Sequence, residues 1–263
     1  MKQLKTTVLL TLISALIIPA SSCRDGKWPC VNGSGESISE VRSVSGFTGV
    51  TSEIEATVYV TQGSEFEVRI EAQQNVLDQI RTNVSGNDLE ISSERCINNS
   101  DPVKIYITMP VVNSLAISGS GSLITQNKIT TGDMDIDISG SGEFTSVDSI
   151  IASDISMDIS GSGNMDLIAN APVLSADISG SGDVTIAGYG SSLDLNISGS
   201  GEMHTFNFHV LTSDVKISGS GDLEINAMDK IEGSISGSGD LYYKNSPIIN
   251  ISVSGSGEII HVD

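Results

Sequence analysis

The chain has 263 residues, with 33 acidic and 13 basic side chains and a formal net charge of −20 at pH 7. Nucleic acid and anionic lipid headgroups repel so acidic a molecule, which argues against both as partners. Aromatic residues make up 4%, so the core must rest on Ile, Val, Leu and Met, in one extended domain or two small ones.

The first residues read as an export signal. Lys2 and Lys5 precede an apolar run from Val8 to Ile18, and Ala20-Ser21-Ser22 lead to Cys23. A basic head, a short apolar stretch and small residues before the cut define a secretory signal over residues 1–22. The run is too short to span a bilayer, which takes about 20 residues. Small residues directly before a cysteine suit a lipoprotein, in which Cys23 becomes the first mature residue and carries the lipid. The other reading is an ordinary cleaved signal that leaves Cys23 as a free thiol. Removal of residues 1–22 takes away two lysines and no acid, so the mature chain is more acidic still.

Residues 23–40 then read as a linker behind the lipid anchor. Cys30 and Cys96 remain after Cys23. In an oxidising compartment a pair is the economical reading, and a Cys30–Cys96 disulfide would clip the linker to the first folded region. Spacing alone does not supply the required geometry.

From residue 41 to 115 short alternating runs recur. Ile54 to Val60, Phe66 to Ile70, Leu89 to Ile91 and Val103 to Ile107 place apolar residues at every second position, as half-buried strands do. Gln62-Gly63 and Ser85-Gly86-Asn87 mark turns, and Asn75 to Ile80 suits one helical turn. These runs predict irregular strands that cap the first turn of a solenoid, since a stack of repeats needs its end shielded.

From residue 116 a repeat takes over. Ser-Gly-Ser-Gly begins at Ser118, Ser139, Ser160, Ser179, Ser198, Ser218, Ser236 and Ser254, with spacings of 21, 21, 19, 19, 20, 18 and 18 residues. Sixteen of the 27 glycines belong to these eight copies, so they punctuate a repeat and do not make a flexible linker. Ile117, Ile138, Ile159, Ile178, Ile197, Ile217, Ile235 and Val253 stand directly before the motif. Leu123, Phe144, Met165, Val184, Met203, Leu223, Leu241 and Ile259 form a second apolar column after it. Two such columns at a period near 20 predict a parallel β-helix over 116–263, one repeat per turn, its turns about 4.8 Å apart and its length about 34 Å. The glycines then mark a corner with positive φ or a close backbone approach; the serines could line up as hydroxyl ladders outside, and the favoured expectation is that they bond the backbone at the bend.

Cys30 to Gly35, Val44-Ser45-Gly46-Phe47-Thr48-Gly49-Val50, Val58 to Gly63 and the Ser-Gly-Ser-Gly copies carry a resemblance. Together they resemble the bacterial putative auto-transporter adhesin family with a head GIN domain, common in secreted and lipid-anchored Bacteroidota proteins. The resemblance covers the chain from about residue 30 onward. It implies an all-β fold, a right-handed parallel β-helix related in shape to pectin lyases, with the Gly/Ser motifs at its bends. It also implies a cell-adhesion role and supplies no catalytic residues. In that phylum, surface display is linked to acidic residues after the lipidated cysteine. Arg24-Asp25-Gly26-Lys27 is mixed in charge, so the cell surface and the periplasmic face of the outer membrane both remain open.

Enzyme chemistry finds little support. A polysaccharide lyase needs a Lys, Arg or Tyr base and a cation to neutralise a uronate. From Ala116 onward there are 20 acids, four lysines and no arginine, which would repel a polyuronate. Paired carboxylates could serve a glycoside hydrolase, but acids in repeating columns single out no pair. His204, His209 and His261 lie near one end without a partner motif and read as solvent-facing. The hexapeptide subrepeat of acyltransferase solenoids and the flat Thr ranks of ice-binding solenoids are missing.

The position after each motif holds Ser122, Glu143, Asn164, Asp183, Glu202, Asp222, Asp240 and Glu258. The last five form an unbroken acidic column, which could bind calcium as the only candidate cofactor. The competing reading is a solvated acidic face that keeps strand stacks from aggregating. The expectation is therefore a non-enzymatic envelope protein that presents a rigid β-helix to a host or cell-surface glycan or protein. It would meet the membrane through its lipid. A structural or carbohydrate-binding envelope component is the alternative. Only six residues follow the last motif, so the C-terminal edge is a candidate surface for homo-oligomers.

Overall fold

The computed structural model describes residues 30–98 and 101–263. The expected signal segment and Cys23 lie outside the described residues. No helix among the described residues is long and apolar enough to cross a membrane.

The protein is a β-solenoid of stacked parallel strands. Each early turn contributes three strand segments, for example Asp133–Gly140, Glu143–Ser146 and Ile150–Ile151. Each segment pairs in parallel with its counterpart one turn on. The eight motifs stack in register, from Ser118 against Ser139 to Ser236 against Ser254. Alternation sends the two apolar columns inward: Ile117, Ile138, Ile159, Ile178, Ile197, Ile217 and Ile235 are each at most 3% exposed. Burial of one such side chain stabilises the fold by about 1.5–3 kcal/mol.

The repeat is explained at the bend. The first glycine of each copy has φ between +123° and +142° from Gly140 to Gly255. At Gly180 an added Cβ would stand 2.1 Å from the carbonyl oxygen of Gly161. The second glycine is caught differently: a Cβ on Gly182 would meet the Gly163 carbonyl at 2.5 Å and Ile159 Cγ2 at 2.8 Å. Close approach is what lets the backbone N–H of the second serine donate to the glycine carbonyl one turn back, as Ser181 does to Gly161 and Ser200 to Gly180, both at 2.8 Å. Both serines of each copy are exposed. The bond across the bend thus comes from the serine backbone, where the sequence suggested the hydroxyl.

Parallel stacking does not begin at residue 116. Gly49–Ser52 and Ala56–Gln62 form a rung directly beneath Ser114–Gly119 and Ser122–Thr125. Asp88–Ser93 and Val103–Met109 form a further rung beneath that one. Spatial order therefore departs from chain order, because residues 88–109 lie outside residues 49–62. These rungs lack the motif; Glu53-Ile54-Glu55 makes the bend, and Gly121 packs against the carbonyls of Ile54 and Ala56. The cap itself is smaller than residues 41–115. It consists of the antiparallel strands Ser37–Arg42, Glu67–Gln73 and Ile80–Ser85 and the helix Gln74–Leu77. Antiparallel pairing lets a hairpin fold back over the open edge, which parallel strands cannot do without a crossover.

Cys30 and Cys96 are joined by a disulfide. Beside it Val31–Asn32 pairs with Ile97–Asn98, and Asn75 Nδ2 donates to the Asn32 carbonyl at 2.7 Å. The linker is thus fastened to the cap. At the far end Ile248–Gly255 pairs with Leu223–Gly237. There Val253 is 43% exposed, against 1% for Ile235 one turn earlier.

Candidate binding surface

Three outward-facing regions hold polar side chains in rows. The first lies on the strand before the motif. Register places Asp137, Asp158 and Asp177 one above another, and Asp133 beside Asp154. Burial pushes the Asp137 carboxyl above its ordinary value, and the charges of Asp158 and Asp135 add to this. Asp158 is raised by burial and then by Asp177 and Asp135, and Asp194 by burial and then Asp214. Rows of carboxylates at strand spacing repel because each holds its neighbour at about 4.8 Å. The column ends where Asn196 Nδ2 donates to Asp177 Oδ1 at 2.7 Å, and Lys216 stands on the next rung. The motif-centred reading missed this face, although Asp137-Ile138, Asp158-Ile159 and Asp177-Ile178 repeat openly before the glycines.

The second region is the acidic column after the motif, read from sequence as a solvated face or as a weak calcium site. Asp183 stacks against Glu202. Beyond it the Asp240 backbone N–H donates to Asp222 Oδ1 and that of Glu258 to Asp240 Oδ1, both at 2.8 Å. One oxygen of each of these two aspartates therefore ties its turn to the next. Among the described residues no group of three or more His, Cys, Asp or Glu side chains is arranged to hold a metal ion. His204 stands 3.4 Å from a carboxylate oxygen of Glu202 and 3.4 Å from one of Glu224.

The third region lies on the turns from Tyr189 to His261 and interrupts the regular stack. Register shifts fall between Thr185 and Ala187, between His204 and His209, and between Val210 and Thr212. Thr205 to Phe208 is consequently a bulge, with Phe208 buried against Gly190 and Lys244 Nζ 4.4 Å from the centre of the Phe206 ring. Outside the bulge Tyr189 is 67% exposed, and its ring stacks on His209 with centres 5.4 Å apart and planes 22° apart. Reading the histidines singly missed this grouping. The available signal was His204-Thr205-Phe206-Asn207-Phe208-His209, an aromatic-rich stretch in an aromatic-poor chain.

None of the three regions sets a nucleophile beside a base, and His209 and His261 are instead engaged by amides. The openings are shallow; one of about 190 Å³ near the cap is lined by Glu55, Asp101 and Ser122 among others. Such faces can bind a partner through rows of side chains.

Comparison with known proteins agrees with this architecture. A putative lipid binding protein from Parabacteroides distasonis is similar at 24% identity and a TM-score of 0.84, over 89% of this chain and 100% of that one. A putative adhesin from the same species gives 21% identity and 0.85 over the same shares. A putative adhesin from Parabacteroides merdae gives 19% and 0.84, over 89% of this chain and 99% of that one. At these identities the likeness establishes a common fold. No curated protein matches the chain. The family described as "putative auto-transporter adhesin, head GIN domain" matches residues 46–149 and again residues 136–247, which is most of the chain, and the protein therefore belongs to that family.

Proposed function

We propose that the protein is a non-enzymatic component of the cell envelope that presents its solenoid for binding, in the manner of an adhesin. The observation that carries this reading is the in-register stack of eight bends. It sets outward side chains in rows along most of the rod, which offers extended faces, and among the described residues the polar groups line open hollows. The family description and the names of two solved relatives, both called putative adhesins, support the same class.

The capped end suits attachment. Cys30 is held there by its disulfide, so a lipid on Cys23, seven residues earlier, would tether that end to the outer membrane and leave the repeat turns pointing away. The test is an array of immobilised glycans and matrix proteins probed with the mature chain. Saturable binding to at least one class, with the bound ligand recovered chemically unchanged, is expected. Ligand turned over into product would overturn the reading, as would failure to bind any member of either class.

A further inference from the structure

The region between Tyr189 and His261 is built differently from the rest of the rod, and its parts are joined. His209, on which Tyr189 stacks, accepts at Nδ1 from Asn226 Nδ2 at 3.1 Å. Asn226 is 6% exposed and fully used: Nδ2 also donates to the Phe206 carbonyl at 2.7 Å, and Oδ1 accepts from Asn245 Nδ2 at 2.7 Å. The Asn245 carbonyl accepts from His261 Nε2 at 2.9 Å, and His261 packs against the Tyr243 ring with centres 5.1 Å apart. Asn245 adopts φ +67°, a left-handed conformation that asparagine tolerates better than most residues. One buried amide thus holds an aromatic pair on one side and an amide–aromatic pair on the other. Bulges commonly re-aim side chains beside functional sites, and the register shifts border this ladder.

The chemistry of the exposed members selects a ligand. Tyr189 presents a flat apolar ring to solvent, held in place by His209, so little side-chain freedom is lost when something stacks on it. Asn170 occupies the adjacent rung in register with Tyr189, and Asn207 and Asn245 are exposed nearby. The Asn170 and Asn207 amides can both donate and accept, and Asn245, whose Nδ2 is bound to Asn226 and Ala227, offers its Oδ1 as an acceptor; this matches hydroxyls and does not require a charged partner. At the far end of the ladder Asp263 Oδ1 lies 3.9 Å from His261 Nδ1, and the field of a −20 molecule disfavours anionic ligands around it. At the same end Tyr243, Asn245, Pro247 and His261 line an open hollow of about 270 Å³. Tyr189 and Tyr243 are three rungs apart, about 14 Å at strand spacing.

We infer that this ladder is a binding site for a neutral oligosaccharide, with a pyranose ring stacked on Tyr189, hydroxyls bonded to the flanking amides, and the chain running along the solenoid toward Tyr243. The site rests on the adhesin reading and names the ligand class for it.

The test is a titration of the mature chain against immobilised short neutral hexose and N-acetylhexosamine oligosaccharides, their monosaccharides and matched uronate oligomers. Neutral oligosaccharides bind, and monosaccharides bind about tenfold or more weakly, because they reach only one stacking ring. Tyr189→Ala weakens binding by about tenfold. Tyr189→Phe retains it, and both variants melt as the parent does because the residue is exposed. Binding of uronates in preference, or equal binding by the parent and Tyr189→Ala, overturns the site. If the chain holds a matrix protein and Tyr189→Ala keeps that hold, the glycan site fails while adhesion stands. Failure to bind any glycan or protein removes both.

Discussion

At the scale of single residues the bend decides the fold. Gly199 has φ +139°, and an added Cβ would lie 2.2 Å from the Gly180 carbonyl. Gly199→Ala is therefore expected to destabilise by about 3 kcal/mol or more, from left-handed strain together with displaced backbone. Ser198→Ala, at an exposed hydroxyl, should stay within about 0.5 kcal/mol, and chemical denaturation of the two variants checks the contrast. The position of these glycines was legible in the sequence because a steric requirement repeats with the turn. The role of the serines was not, because a hydroxyl and a backbone N–H in the same residue leave the same letter. The aspartate face gives a second residue-scale prediction. Asp137, Asp158 and Asp194 hold their protons more tightly when folded than in the unfolded chain, where the ordinary value is 3.8. The folded state thus binds more protons in the window above that value, so stability falls as pH rises through it. The melting temperature is expected to rise as the pH is lowered from 7 toward that ordinary value. Asp158→Asn should raise the melting temperature at pH 7 and flatten that pH response.

At the scale of elements, one covalent bond clips the linker to the cap. The Cys30–Cys96 bond closes a separation of 66 residues, and a loop of that size is worth up to about 4 kcal/mol. Cys30→Ser with Cys96→Ser should lower stability by about 2–4 kcal/mol, and hydrogen exchange should rise first in Ser37–Arg42, which the linker leads into. The alternating strands of residues 41–115 were readable, including the single helical turn. Their place in the stack was not: Gly49–Ser52 and Asp88–Ser93 pair in parallel without any Ser-Gly-Ser-Gly to announce a bend. Periodicity reports repeats that share a bend chemistry, and a rung that turns through Glu53-Ile54-Glu55 falls silent. The Tyr189 ladder was hidden for a related reason. Its members belong to five different turns, and the bulge at Thr205 to Phe208 shifts the register that would have aligned them.

At the scale of the whole molecule, an acidic rod is capped at one end and faceted along its length. The disulfide and the cap lie at the end farthest from His261, so the lipid anchor proposed at Cys23 and the Tyr189 ladder would occupy opposite parts of the rod. In the proposed arrangement the turns would project away from the membrane. Display of the solenoid for binding is tested most directly by treating intact cells that carry the chain with a membrane-impermeant amine reagent. Lys216, whose side chain is 60% exposed, is the reporter. Labelling of Lys216 on unbroken cells, to the extent seen after lysis, is the result expected. Complete protection until the outer membrane is opened would contradict it.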